Sequence, residues 1–219
     1  MRKRLQALFP PAAVGRVRQA VEEAERGTAG EIVPVVVSAC DAHPEAAWKA
    51  TALGALGAVA GAFLYFQLSG RWAADLLWWS LLPALAGGAA GWLAGGLPAL
   101  RRRLVDPEVL EERVQRAARA AFLEHRVHAT RQRTGVLIFV ALFEHRVVVL
   151  ADEGIHPAVP HAMWAEVAAG IASGLRAGRP LAALVEGIER CGRILATHGP
   201  AAAPGDVDEL SDTPRLEER

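Results

Sequence analysis

Acidic and imidazole side chains gather directly after a predicted β-hairpin in the second half of the chain. Asp152, Glu153 and His156 follow the hydrophobic segment RVVVLA, and Glu31 begins an earlier hydrophobic segment. Carboxylate oxygens are the ligands that hard cations such as Ca²⁺ prefer. We therefore predict Glu31, Asp152, Glu153 and His156 as ligands of Ca²⁺ or another divalent cation. In the alternative interpretation, these acids only solvate loop ends and pair with arginines.

No complete catalytic constellation is visible elsewhere. His125 and His128 have the spacing of half a zinc site, but no third ligand lies nearby in the sequence. The chain contains no glycine-rich phosphate loop, no G-x-S-x-G elbow and no H-E-x-x-H motif. No catalytic residue and no organic cofactor is therefore predicted, and a non-enzymatic role is favoured. The formal net charge of zero argues against a nucleic-acid partner.

The elements that would position these residues follow from hydrophobic periodicity. Residues 11–26 have helical spacing, and residues 31–38 (EIVPVVVS) form a β-branched run typical of a strand covered on both faces. Pro34 within this run indicates a sheet edge or a bulge. Later, GVLIFVAL and RVVVLA are separated by three residues, which predicts an antiparallel hairpin. With helices at 107–128, 161–177 and 180–198, the order predicts the α/β (α+β) class, a small mixed sheet sandwiched by helices.

Two uncharged segments interrupt this order after the first strand. Residues 50–70 and 76–100 contain no Asp, Glu, Lys or Arg, and each is long enough to cross about 30 Å of hydrocarbon as a helix. Only five residues separate them, which predicts a two-helix transmembrane hairpin. Glycines with a spacing of four favour close packing of the two helices, or self-association of the hairpin. These glycines are Gly87, Gly91 and Gly95 in the second segment, four apart, and Gly54, Gly57 and Gly61 in the first, three and four apart.

The basic residues predict the orientation of the hairpin. Arg101, Arg102 and Arg103 follow it directly and several basic residues precede it, whereas the connection holds Arg71 balanced by Asp75. The positive-inside rule therefore predicts a multi-pass protein of the cell membrane with both termini in the cytoplasm. The basic residues at the N-terminus are followed by too short an apolar run for a signal peptide.

The predicted organisation has four parts. The first part of a soluble domain spans residues 1–45, and the transmembrane hairpin spans 46–100. The second part of the soluble domain spans 101–198. Residues 199–219, rich in proline, alanine and acids, are predicted to be disordered.

Several short segments resemble the TPM domain family. TAGEI at 28–32 is similar to the Gly-Glu-Ile opening of that domain, and RTGVLI at 133–138 followed by LADEGI at 150–155 resembles its β-hairpin. Residues 174–196 resemble its closing helix. The resemblance implies an α/β/α sandwich, often attached to a membrane. It also implies divalent-metal binding, acid phosphatase activity in a photosynthetic branch, or roles in complex repair and receptor assembly. The Arg-Thr before Gly135 departs from the family, in which an acidic residue or Asn is frequent.

These observations favour a membrane-anchored TPM-like interaction or assembly module. Its expected partners are the lipid bilayer and a membrane protein, with self-association through the glycine-rich hairpin as a further possibility. The alternative is a divalent-metal-dependent phosphatase or other hydrolase, in which Asp152 and Glu31 would hold a metal that activates water.

Overall fold

The structure is a computed structural model, which describes residues 5, 7–70, 76–155, 157–201 and 209–218. The chain forms two compact units. The first consists of Met1–Asp41 together with Glu111–Arg219, and the second, Ala42–Leu110, is inserted between those two stretches. The predicted hairpin at 46–100 lies inside this insertion.

The observed elements follow the predicted order, with short additions. Proline opens most of the helices, because a proline in the first turn has a suitable φ and leaves no N–H unpaired. In chain order the elements are α1 (Pro11–Ala24), β1 (Glu31–Val37), α2 (Pro44–Ser69), α3 (Leu76–Gly95), α4 (Pro98–Leu104), α5 (Pro107–Glu124), a 3-10 turn (Val127–Ala129), β2 (Gly135–Ala141), β3 (Arg146–Ala151), α6 (His161–Arg176), α7 (Pro180–His198) and β4 (Arg215–Glu217).

The four strands of the first unit form one mixed sheet in the order β3-β2-β1-β4. β1 is parallel to β2 over its whole length, and β2 is antiparallel to β3, which confirms the predicted hairpin. β4 is parallel to β1. Because β1 and β2 are parallel, the connection between them must cross over the sheet. This crossover contains the inserted second unit and α5.

Pro34 shows how the sequence tolerates a proline in this sheet. The Glu31 N–H donates to the Thr134 carbonyl oxygen, so alternate residues of β1 bond to β2 and the Pro34 nitrogen faces the opposite side. β4 pairs only with Val35–Val37. The predicted sheet edge or bulge is therefore wrong, because β1 is an inner strand with a regular register. Among the described residues no strand pairs with β1 at Pro34 on the β4 side, so the missing N–H leaves no described ladder bond unmade.

Helices cover both faces of the sheet, so the first unit has three layers. On one face, alternate strand residues such as Ile32 and Ile138 pack with side chains of α1, α6 and α7. On the other face, Val35 and Phe139 pack with side chains of α5. The predicted fold class, a small mixed sheet sandwiched by helices and interrupted by two apolar helices, is confirmed.

The C-terminal segment differs from its prediction. The sequence predicts disorder for 199–219, but residues 215–217 form β4, and the Ser38 N–H donates to the Glu217 carbonyl oxygen. The Arg215 guanidinium also donates to the His125 carbonyl oxygen at 3.2 Å. Backbone pairing with β1 thus holds a segment whose composition alone is typical of a tail.

The second unit is built from α2 and α3, which pack closely against each other. A Cβ placed on Gly54 or Gly87 would overlap the facing glycine's carbonyl oxygen, and a Cβ on Gly91 would overlap the Ala50 carbonyl oxygen. In contrast, Gly57 and Gly61 have nothing within 4 Å of an added Cβ. Both helices are long and apolar enough to cross a membrane.

Candidate functional site

Two of the predicted metal ligands lie at one end of the sheet, where β1 and β2 begin and β3 ends. Glu31 is opposite Gly135 in the parallel pair. On the other side of Gly135, the Asp152 N–H donates to the Gly135 carbonyl oxygen at 2.9 Å. Because neighbouring strands are about 4.8 Å apart, the backbones of Glu31 and Asp152 are about 10 Å apart across β2. The fold brings both acids to the same end of the sheet, but on strands separated by a third.

An arginine is paired with the two acids that follow β3. The Arg133 Nε lies 3.7 Å from Asp152 Oδ2, and Arg133 Nη2 lies 3.4 Å from Glu153 Oε2. Arg133 Nη1 also donates to the His128 carbonyl oxygen at 2.7 Å. The φ of Arg133 is 57°, in the left-handed region that non-glycine residues rarely adopt. A positive side chain is therefore held beside both carboxylates by three separate contacts.

The Asp152 carboxylate is almost fully buried and has local partners. Its Oδ1 accepts a hydrogen bond of 2.8 Å from the Glu153 N–H, which closes the turn after β3. Its Oδ2 faces the Arg133 guanidinium, which is 45% exposed. Because a pair open to solvent on one side contributes only about 0–1 kcal/mol, the pairing serves mainly to neutralise and position the acid.

Glu31 belongs to a second acid–arginine cluster at the same end of the sheet. Its Oε1 accepts a hydrogen bond of 2.9 Å from the Glu209 N–H. The Glu209 carboxylate accepts a hydrogen bond from the Arg131 N–H at 3.2 Å and lies 3.8 Å from Arg131 Nε. Glu31 thus fixes the start of the C-terminal segment that leads into β4.

The described contacts give these acids partners other than a divalent cation. Among the described residues, no group of three or more His, Cys, Asp or Glu side chains is placed to hold a metal ion. Arg133 supplies a positive charge to Asp152 and Glu153, and Glu31 bonds to a different segment. His156 lies outside the described residues. The metal site therefore stays a prediction for titration to test.

A pocket of about 310 Å³ opens beside the same acids. Its apolar wall comes from Phe122 and Leu123 of α5 and from Leu150 of β3. Asp152 and Glu153 lie at its polar side, together with Arg119. The combination of an apolar wall and charged groups suits contact with a small ligand or with one side chain of a partner protein.

The opposite end of the sheet carries a buried acid with a structural role. Glu144, in the turn between β2 and β3, is 3% exposed, and its Oε1 accepts a hydrogen bond of 2.8 Å from the Cys40 N–H. Nearby, Arg113 pairs with Asp41 at 2.9 Å. These contacts fasten the segment that leaves β1. Spacing in the sequence gave no sign of them, because the partners are far apart in the chain, 104 residues for Cys40 and Glu144.

The two histidines considered for zinc have other surroundings in the structure. The His125 Nε2 lies 2.7 Å from Glu217 Oε1, so β4 supplies a partner that is remote in sequence. The His128 ring lies 6.3 Å from the Phe122 ring. In the part of the chain that the structure describes, these residues do not form a metal-binding group.

Both cysteines are free thiols. Cys191, on α7, lies in the core, and burial raises its pKa from 9.0 to about 12, while the Arg190 charge acts in the opposite direction. Since the thiolate is the reactive form, Cys191 is a packing residue and not a nucleophile.

The fold and this sheet end define an α/β/α domain with a paired acidic turn after its β-hairpin, and the comparisons agree with that class. Residues 104–194 match the family model described as the TPM domain. The solved structure of BA42 protein from the psychrophilic bacterium Bizionia argentinensis is similar in fold, with a TM-score of 0.56 and 19% identity over 94% of this chain and 93% of that chain. No curated protein matches the chain. The family match over residues 104–194 confirms, for that stretch, the resemblance to the TPM domain seen in the sequence.

Proposed function

We propose that the chain is a membrane-anchored interaction module, in which α2 and α3 hold the protein in a lipid bilayer and the TPM domain binds a membrane-associated partner protein. The exposed apolar surface of α2 and α3 carries the proposal. Leu56, Leu68 and Leu93 are 69%, 80% and 76% exposed. Only 0% and 6% of the two candidate spans are buried within the protein. Such a surface is costly in water, at about 25 cal/mol per Å², and is satisfied in hydrocarbon.

The distribution of charge supports a cell-membrane location with both termini in the cytoplasm. Arg101, Arg102 and Arg103 lie in α4, directly after the second span. Basic residues near the ends of membrane helices favour the cytoplasmic side. The TPM domain would then face the cytoplasm, where its two cysteines stay reduced.

The hairpin also offers a surface to a further membrane helix. Gly54, Gly87 and Gly91 are used within the hairpin, whereas Gly57 and Gly61, four residues apart on α2, have open space beside them. Small residues at this spacing let a second helix approach closely. The second helix would belong to the partner or to another copy of this chain.

Membrane anchoring is tested by replacing one exposed leucine in each unit with arginine. Leu85→Arg should release the protein from membranes washed with alkaline carbonate, because arginine at the centre of a span costs about 2.5–3.5 kcal/mol. Leu123→Arg is the matched control, since Leu123 is 63% exposed and Leu85 62%, but Leu123 lies in the TPM domain. Release of the wild-type protein by the same wash would overturn the proposal.

The alternative function, a divalent-metal-dependent phosphatase or other hydrolase, is favoured by one observation only. Glu31 and Asp152 lie at the same end of the sheet. Calorimetric titration of the full chain in detergent with Ca²⁺, Mg²⁺ and Zn²⁺, followed by a phosphate-ester assay, separates the two functions. Saturable binding that disappears in Asp152→Asn, together with turnover, would favour the hydrolase.

A further inference from the structure

Strand β3 is an edge strand of the sheet, and a groove of about 360 Å³ runs along it. The strand itself, from Arg146 to Leu150, lines the groove, with residues of α5 on one side and of α6 on the other. All of these residues belong to the first unit. The groove is separate from the pocket beside Asp152, since the two have only Leu150 in common.

The hydrogen-bond register shows which backbone groups face the groove. In an antiparallel pair, residues alternate between those that bond to the neighbouring strand and those that face away from it. Asp152 bonds to Gly135, so Leu150, Val148 and Arg146 also bond toward β2. The N–H and C=O groups of Val147 and Val149 therefore face outward, and the described part of the chain has no strand on that side.

Trp164 adds a buried donor to the same groove. This α6 side chain is 2% exposed and lines the groove, and its indole Nε1 has no hydrogen-bond partner among the described residues. Leaving a buried donor without an acceptor costs free energy. An acceptor brought in by a ligand would recover that free energy, so the indole is a second indication, independent of the strand edge, that the groove receives a ligand.

The two walls of the groove differ in polarity. The α6 wall consists largely of small side chains, Ala165, Ala168 and Ala169, which leave room for larger apolar groups. The α5 wall is polar, because Glu111 pairs there with Arg146 at 3.1 Å. Since the side chains of an extended peptide alternate between two faces, a peptide with apolar and polar residues in turn would match both walls.

We propose that the β3 edge binds an extended segment of a partner protein as a fifth strand, with alternate apolar side chains on the alanines of α6 and the intervening polar side chains on α5. The proposal rests on the interaction-module function above and names the surface through which that function would operate. Backbone hydrogen bonds to Val147 and Val149 give affinity, and the two walls give register. A single strand fits better than a second copy of this chain, because the β3 of another copy lies between its own two helices.

The test uses the full chain in detergent micelles and a fluorescein-labelled peptide of nine residues in which valine and threonine alternate. Fluorescence anisotropy should show saturable binding, at least tenfold tighter than that of a peptide with the same residues in blocks. Ala169→Arg, which fills the groove, should weaken binding at least tenfold. Ala162→Arg is the matched control, because Ala162 is exposed on the same helix and does not line the groove. The indole N–H resonance of Trp164, assigned with Trp164→Phe, should shift on binding.

Equal affinity for the two peptides, no binding of the alternating peptide, or normal binding by a folded Ala169→Arg protein would overturn the inference. A fall in oligomer size caused by Ala169→Arg would assign the groove to a second copy and also overturn it.

Cross-linking in membranes separates a failure of the groove proposal from a failure of the proposed function. A membrane partner captured equally by wild type and Ala169→Arg leaves the function standing without the groove. Peptide binding by a wild-type protein that a carbonate wash removes from membranes leaves the groove standing without the anchor.

Discussion

The two units of the chain use the same residue types in opposite ways. In the first unit, within the residues that match the TPM domain, Trp164 and Leu184 are 2% and 1% exposed. In the hairpin, Trp48 and Leu68 are 66% and 80% exposed. Water drives the first pair inward, since burial of apolar surface is the main favourable term in folding. In lipid that driving force is absent between helices. The comparison shows that exposure of large apolar side chains separates the two units, and a bilayer, as proposed above, would cover the exposed set.

Glycines at helix contacts also differ between the two units, in the kind of atoms that lie beside them. Gly187 of α7 leaves room for the Ile171 side chain, so a flexible group fills the space. Gly54 and Gly87 leave room for each other's backbone, and no side chain intervenes. In the proposed bilayer, where hydrophobic association between helices is absent, the hairpin would depend on close backbone contact and dispersion.

The largest expected effect is loss of a core side chain from the TPM domain. Leu184→Ala should lower the free energy of unfolding by about 2–5 kcal/mol, because it removes buried methyl groups and leaves a cavity. Leu68→Ala should change it by less than about 0.5 kcal/mol in detergent. Denaturant unfolding of the full chain, followed by circular dichroism, measures both. Equal losses would remove the contrast between the units.

Filling the close contact of the hairpin should have the next largest effect. Gly87→Leu pushes a side chain into the Gly54 backbone and should cost about 1–3 kcal/mol or more. Cysteines replacing Thr51 and Gly88 report the contact, since a Cβ at Gly88 lies 3.6 Å from Thr51 Cγ2. Their cross-linking, measured with Cys40 and Cys191 replaced by alanine, should be lost in Gly87→Leu.

Gly57→Leu is the control for that experiment. Because Gly57 has open space beside it, this variant should keep the cross-link between the two helices. It should instead weaken association with another membrane helix. Loss of the cross-link in both variants would show that the hairpin tolerates no large residue anywhere, and the assignment of separate inner and outer glycine faces would fail.

A smaller effect is expected at the sheet end. Arg133→Gln should lower the free energy of unfolding by about 0–1 kcal/mol, as is usual for exposed ion pairs. It should also raise the affinity of the acidic turn for Ca²⁺, because Asp152 and Glu153 lose their positive partner. Calorimetry on wild type, Arg133→Gln and the control Arg119→Gln measures this. Tight Ca²⁺ binding by the wild-type protein would show that the Arg133 guanidinium does not prevent Asp152 and Glu153 from binding a cation.

The smallest effect is on thiol chemistry. With a pKa of about 12, the Cys191 thiol should resist a disulfide reagent at pH 8 while the half-buried Cys40 reacts. Burial disfavours the thiolate in the folded state only, so the contribution of this thiol to stability should be constant below about pH 9 and fall as the pH rises from 9.0 toward 12. Counting labelled thiols by mass spectrometry, before and after unfolding, checks the assignment. Labelling of Cys191 in the folded protein would contradict it.

The sequence by itself determined the order of the elements, the two apolar helices and the antiparallel β-hairpin. These features depend on patterns that repeat within one segment, with periods of 3.6 and 2 residues, or on the length of an uncharged run. The missing N–H of Pro34 is also a local property, but the sheet edge or bulge that it predicted is not found, because β1 is an inner strand. The TPM resemblance was carried by the same short segments, and the family match at 104–194 confirms it.

Only the tertiary structure decided which distant segments meet. The three residues of β4 have no strand pattern of their own, and they are ordered because β1 offers an unpaired edge. The pairing of Arg133 with Asp152, and of Glu31 with Glu209, likewise depends on strand register. Hydrophobic periodicity shows which face of a helix or strand is buried, but not which other element packs against that face. The neighbours of each acid, and hence its chemistry, were therefore set by packing over long separations in the chain.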